Sequence, residues 1–259
     1  MEYIIDLENV TWERGNRTLL KNVDWQVKKG EHWALLGLNG SGKTSLLNII
    51  NGYEWPTIGT VHVLGNRFGA TNVPELRKSI GWVSSSLQEK IYKTDLTQAV
   101  VISGKHASIG LYESVSKEDL TRALEMMEIM GCQYLVNRVY DTCSQGEKQK
   151  ILIARALMAN PQILILDEPC NGLDIFSREK LLNSINDLAC LSGGPTLIYV
   201  THHIEEISQV FQKMLLLRRG EVYTSGRTID VLNEEALSSF FEYPVSVEQR
   251  DERYSIQLK

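Results

Sequence analysis

Three short segments of the chain carry residue types that can handle phosphate. GLNGSGKT, Gly37 to Thr44, fits the pattern GxxxxGK[ST] and stands between an apolar run, HWALLG, and a helical one, SLLNII. Gly37, Gly40 and Gly42 free the backbone so that N–H groups along the loop, through Leu38, Asn39, Ser41 and Ser45, can curl around a phosphate. Lys43 adds a point charge toward the β- and γ-phosphates, and the Thr44 hydroxyl is suited to Mg²⁺. The second segment, ILILDEP, follows its apolar run with Asp167 and Glu168, two adjacent carboxylates that are costly to bury without a cation. Asp167 is suited to hold Mg²⁺ through water, and Glu168 to polarise an attacking water. The third, CSQGE, sets Ser144 and Glu147 in the S-x-x-E relation of a capping box ahead of the helical run IARALMAN. A helix N-terminus there presents its positive dipole end to an anion.

These segments need a frame, and the flanking patterns supply one. YIIDLENVTW, TLLKNVDWQV, HWALLG and TVHVLG read as strands separated by turn signals. From Thr94 to Ala159 the apolar spacing turns helical, and Met126, Met127 and Met130 read as helix core. Beyond Gln162, ILILDEP, SREKLLNSINDLAC, PTLIYVTHH, IEEISQVFQ and MLLLRRGEVYTSG alternate strand and helix, which predicts a parallel sheet with crossover helices. A hairpin at Arg218 to Val222, a short helix near Ala236 to Phe241 and a polar tail, SVEQRDERYSIQLK, close the chain.

Length and composition narrow the class. The 259 residues fit one large α/β domain, or a core with a smaller lobe, rather than two unrelated domains. A formal net charge of -5 argues against a general nucleic-acid binder, so no nucleic-acid partner is expected. The start, MEYIIDLENV, lacks the pattern of a signal peptide, and no stretch approaches the roughly eighteen apolar residues of a membrane span, so a cytoplasmic place is expected. Cys132, Cys143, Cys170 and Cys190 form no CxxC pair and read as reduced, mostly packed thiols. Among five histidines without metal-ligand spacing, His202 stands out because it follows a strand and precedes a helical signal.

In order, GLNGSGKT, CSQGE, ILILDEP, CNGLD and VTHH resemble the nucleotide-binding subunits of ABC transporters, a resemblance running from about Leu7 to Pro244. It implies a single P-loop ATPase domain of the α/β class, with an N-terminal antiparallel β subdomain and an inserted helical lobe. By that reading residues 1–88 and 160–226 form the nucleotide-binding core, 89–159 the helical signature lobe, and 227–259 the closing helix and tail. The resemblance further implies a head-to-tail pair, each ATP held between the phosphate loop of one subunit and the signature of the other. Asp174 becomes the D-loop aspartate at that interface, and His202 the switch histidine on the γ-phosphate; His203 is a neighbour without that role.

Three departures qualify the carry-over. CSQGE keeps Ser144 and Gly146 of the usual LSGGQ and places Glu147 where the family has an amide, so a functional but weaker ATP sandwich is expected. Cys143 replaces a leucine and reads as a packing change rather than a redox switch. The Q-loop glutamine, which the resemblance places toward the metal, has Ser85 at its expected position and Gln88 three residues later. For the aromatic that stacks on adenine, Arg14 stands at the family position and Trp12 two residues before it, on the same face if the strand is regular.

The implied activity is MgATP binding and hydrolysis as the ATPase subunit of an importer-type system. Its partners would be a second copy or a homologous subunit and a membrane permease. The alternative is a soluble ABC ATPase in repair, regulation or ribosome-linked work. A P-loop kinase or GTPase is disfavoured by CSQGE, DEP and VTHH together.

Overall fold

The computed structural model describes residues 3–106, 108–112, 114–250 and 253–259. They fall into two compact units, one formed by residues 1–77 and 196–259 and the other by residues 78–195.

The first unit opens with two long strands, β1 (Tyr3–Arg14) and β2 (Arg17–Lys28), followed by β3 (Trp33–Leu36), α1 (Lys43–Ile50), β4 (Ile58–Val63), β5 (Asn66–Arg67) and α2 (Val73–Arg77). β2, β1, β4 and β5 form an antiparallel sheet in that order. Ile5 and Leu7 of β1 are buried, as alternating apolar residues on one sheet face should be, and Val10 is buried beyond a register shift at which Asn9 has φ 52°. The pairing of β1 with β2 shifts register at several points, the last between Trp12 and Glu13, where the extra residue lies on β2. All four residues of β3 are buried, the near-continuous apolar run of a strand covered on both faces. Trp25 of β2 meets Trp33 of β3 edge-on at 5.7 Å, and Leu46, Leu47, Ile49 and Ile50 of α1 complete the core.

The second unit runs through β6 (Ile80–Val83), α3 (Ser85–Lys90), α4 (Thr97–Ser103), α5 (Lys117–Ile129), α6 (Gln145–Leu157), β7 (Ile163–Asp167) and α7 (Ile175–Ala189). β6 and β7 pair in parallel, while α4, α5 and α6 pack on one another. Met127 and Met130 are buried as the pattern predicts, whereas Met126 is half-buried. Capping boxes start both long helices of the lobe, Ser116 with Asp119 on α5 and Ser144 with Glu147 on α6.

The chain then returns to the first unit with β8 (Thr196–Thr201), β9 (Lys213–Arg218), β10 (Glu221–Arg227), α8 (Thr228–Val231), α9 (Glu234–Phe241), β11 (Val245–Arg250) and β12 (Arg253–Leu258). β3 lies parallel to both β8 and β9. Arg219 and Gly220, both at positive φ, make the two-residue turn between β9 and β10. Two expectations are corrected here. IEEISQVFQ is not a helix: one 3₁₀ turn, Ile204–Glu206, gives way to a turn because Glu206 points inward and Ser208 bridges to Arg253. The polar tail is an antiparallel hairpin, β11 on β12, with Val245 and Tyr254 buried; Asp251 and Glu252 of that segment lie outside the described residues.

Candidate active site

The first unit carries the phosphate loop between β3 and α1. Gly40 and Gly42 have φ of 78° and 106°, a left-handed backbone that side chains resist. A Cβ at Gly37 would strike the Ser41 hydroxyl and lie 2.7 Å from the Leu217 carbonyl, so only glycine fits there. The loop is tied down by Gly37 N–H donating to the Thr201 carbonyl at 3.3 Å and Gly220 N–H donating to the Ser41 carbonyl at 2.8 Å. Lys43 is only 7% exposed. Its ammonium donates to the carbonyls of Gly37 at 2.7 Å and Leu38 at 3.3 Å, which seats the charge inside the loop. The Ser41 hydroxyl is buried with no hydrogen-bond partner among the described residues. A seated cation and an orphaned donor beside left-handed glycines fit a bound phosphate. Leu38, Asn39, Gly40 and Thr44 are exposed and Ser45 half-buried, so the Thr44 hydroxyl is accessible to Mg²⁺.

His202 follows the last residue of β8, its ring 4.0 Å from that of His203. A residue that the sequence reading missed organises this corner. Glu206 is 3% exposed, and its Oε2 accepts from the Tyr199 hydroxyl at 3.0 Å and the Thr201 hydroxyl at 2.6 Å. Thr201 Oγ1 in turn accepts from the His203 N–H at 3.0 Å. A buried carboxylate needs such donors, and here they pin the backbone beside His202. The available signal was the buried-strand hydroxyls of LIYVT facing an acid five residues on.

The second unit carries the acids. Asp167 ends β7, half-buried, and Glu168 has φ 50°, uncommon for a residue with a side chain and characteristic of functional corners. Asp174 caps α7, accepting from Ser177 N–H at 3.0 Å and Ser177 hydroxyl at 2.6 Å. Those bonds, the hydroxyl's first, hold its carboxyl below the ordinary aspartate range. Ser177 also touches the signature: a Cβ at Gly146 would lie 3.2 Å from that of Ser177.

In the signature itself both halves of the capping box are present. Ser144 Oγ accepts from Glu147 N–H at 3.3 Å, and Glu147 Oε2 accepts from Ser144 N–H at 2.7 Å. The other carboxylate oxygen, Oε1, accepts from the Tyr134 hydroxyl at 3.2 Å and faces Arg138 Nη1 at 3.5 Å. Partial burial would raise the Glu147 pKa, but the Ser144 and Tyr134 hydrogen bonds and the Arg138 charge outweigh it and the net shift is downward. Cys143 is buried, and burial first, then the Glu147 charge, push its thiol upward, which fits packing rather than redox reactivity.

The two ambiguous positions come apart. Trp12 is 6% exposed, paired with Leu20 in the core, while Arg14, the last residue of β1 and paired with Arg17 across the turn to β2, is exposed. Trp12 is therefore a core residue, and Arg14 is the exposed candidate for the base. Ser84 ends the strand by capping α3, which puts Ser85 and Gln88 on a helix. The Gln88 amide is exchanged with that of Gln145 at 2.9 and 3.0 Å, and its oxygen also accepts from Gln149 at 3.1 Å. Gln88 thus faces the signature helix in this structure.

A glycine loop seating a buried lysine between a central strand and a helix defines a P-loop nucleotide-binding α/β protein. The chain belongs to the ABC transporter family, whose model matches residues 20–171. It is 49% identical over 245 residues to the uncharacterized ABC transporter ATP-binding protein YlmA of Bacillus subtilis, covering 94% of this chain and 93% of that protein. Spermidine/putrescine import ATP-binding protein PotA of Acetivibrio thermocellus is 32% identical over 231 residues, 89% of this chain and 63% of that protein. Among solved structures, the dimeric, post-hydrolysis cassette MJ0796 bound to ADP and Pi superposes with a TM-score of 0.72 at 28% identity, over 86% of this chain and 98% of that one. The protein is an ATP-hydrolysing cassette of this family, and no helix among the described residues is long and apolar enough to cross a membrane.

Proposed function

We propose that the chain is the cytoplasmic ATPase subunit of an importer-type ABC transporter, pairing head to tail with a second copy or a homologous subunit and docking peripherally on a membrane permease. The observation that carries this reading is the doubly hydrogen-bonded cap at Ser144 and Glu147, which keeps a helix N-terminus where the family signature meets phosphate. In this proposal the phosphate loop from Gly37 to Ser45 binds ATP, with Lys43 toward the β- and γ-phosphates and Arg14 against the base. Thr44 and Asp167 are the Mg²⁺ ligands, the ion supplying charge neutralisation at the phosphates when bound. Glu168 orients the attacking water, and His202 hydrogen-bonds the γ-phosphate. Ser144, Gly146 and Asp174 serve the partner's nucleotide. Ile175 and Phe176, directly after Asp174, are 68% and 80% exposed, an apolar surface of the kind that a subunit contact covers. Tyr92, Tyr112, Leu120 and Leu124 leave apolar surface on the helical lobe for a permease segment. The import role named for PotA supports the direction, and the soluble alternative is not favoured by relatives that carry transporter names.

Phosphate release by the purified chain, beside Lys43→Ala and Glu168→Gln, tests the ATPase part. Tagged chain recovered from detergent-solubilised membranes tests the rest. Co-recovery of a multi-span membrane protein supports the transport reading, and recovery of the chain alone from intact membranes and lysate contradicts it.

A further inference from the structure

The fifth residue of the signature is an acid in a place meant for phosphate, and its neighbours outside the motif deal with that charge. We propose that Arg138 and Tyr134 are positioning residues for the signature: they hold and neutralise Glu147, so that CSQGE meets the partner's nucleotide as an uncharged capped helix end would.

Both carboxylate oxygens of Glu147 are occupied by donors. Oε2 takes the Ser144 N–H, which closes the cap, and Oε1 takes the Tyr134 hydroxyl, with Arg138 Nη1 forming an ion pair at 3.5 Å. Tyr134 and Arg138 lie on the segment between α5 and α6, not on the signature helix, so the pairing draws the acid sideways toward that segment. Arg138 also donates to the Thr142 carbonyl at 3.4 Å, two residues before Ser144 at the helix start. The neighbouring charges do not compete: Lys148 is 3.5 Å from Asp141, and the Cys143 thiol stays neutral. An unpaired carboxylate at this site would repel a nucleoside triphosphate, whereas a paired one leaves the dipole of α6 in control.

This inference rests on the head-to-tail reading proposed above, and a double-mutant cycle separates the two. In a Glu168→Gln background, dimerisation is measured against MgATP for the parent, Arg138→Ala, Glu147→Gln and both together. Glu147→Gln, which keeps a capping side chain but removes the charge, sets the reference against which the effect of Arg138→Ala is read. Arg138→Ala is expected to weaken it on the order of tenfold, a few-fold at each of two sites, and Glu147→Gln is expected to restore it. An equal loss on Arg138→Ala with either residue at 147 overturns the proposal, because Arg138 would then act on the nucleotide or on stability directly. Should the parent bind MgATP and stay monomeric, the pairing reading fails instead, and titration of the Glu147 carboxyl by NMR judges the charge pair alone. A Glu147 pKa that rises on Arg138→Ala supports the pair, and one that does not move overturns it.

Discussion

The phosphate loop and the signature segment handle the same ligand charge by opposite means. In the loop the work falls to backbone and to residues inside the motif: positive-φ glycines, a Gly37 site with no room for a Cβ, and Lys43 seated on its own loop carbonyls. In the signature, three of the five usual residues differ, and the acid among them is held by side chains from outside it, Tyr134 and Arg138. A motif built from backbone geometry tolerates little change. One built from a helix end tolerates much, provided the cap survives and any new charge is paired.

The largest effects should come from the loop and the acids. Lys43→Ala and Glu168→Gln are each expected to lower phosphate release on the order of 10²-fold or more, by loss of charge on the phosphates and of water orientation. Gly37→Ala should fold less stably by about 1–3 kcal/mol, because its methyl meets the Ser41 side chain and the Leu217 carbonyl. Thermal melting with and without ATP reads both that loss and the weakened binding. If Gly37→Ala melts and binds like the parent, the claim that backbone geometry dictates the loop is broken.

Intermediate effects belong to the corner at His202. Glu206→Gln and Thr201→Val should each lower kcat several-fold, roughly the weight of one or two hydrogen bonds, with KM for ATP little changed. A matching rise in KM would mean that this network serves binding rather than the switch histidine. In the signature, Ser144→Ala removes one cap and should cost about 1 kcal/mol, a shift of roughly 2–4 °C in melting temperature.

The smallest effect is an acid-side slope. Asp174 has a lowered pKa in the fold, so its contribution is complete above the ordinary aspartate value and is lost as the pH falls through the lower folded value. Asp174→Asn should flatten stability against pH in that acid window and leave the neutral range unchanged. A slope that persists in the variant assigns it to another carboxylate.

Much of this was legible in the residues because periodicity and motif spacing are local. The strands around HWALLG and ILILDEP, the helix after GLNGSGKT, and the capping box of CSQGE all follow from neighbours within a few positions. Illegible parts depend on contacts made at a distance or on where a strand stops. Trp12 and Arg14 stand two apart on β1, yet Trp12 packs into the core while Arg14, where the strand ends at the turn, is exposed. The stretch after His202 has helical spacing, but the buried Glu206 and the bridge from Ser208 to the terminal hairpin overrule it. Arg138 lies nine positions from Glu147, outside any motif window, and only the fold brings its charge to that carboxylate.

The measurement closest to the central claim is the light-scattering mass of Glu168→Gln with MgATP and without nucleotide, since blocking hydrolysis should trap a closed pair. A nucleotide-dependent doubling of mass is the predicted result, and it would establish CSQGE as a working signature. A chain that binds MgATP to saturation yet keeps its monomer mass would contradict the account.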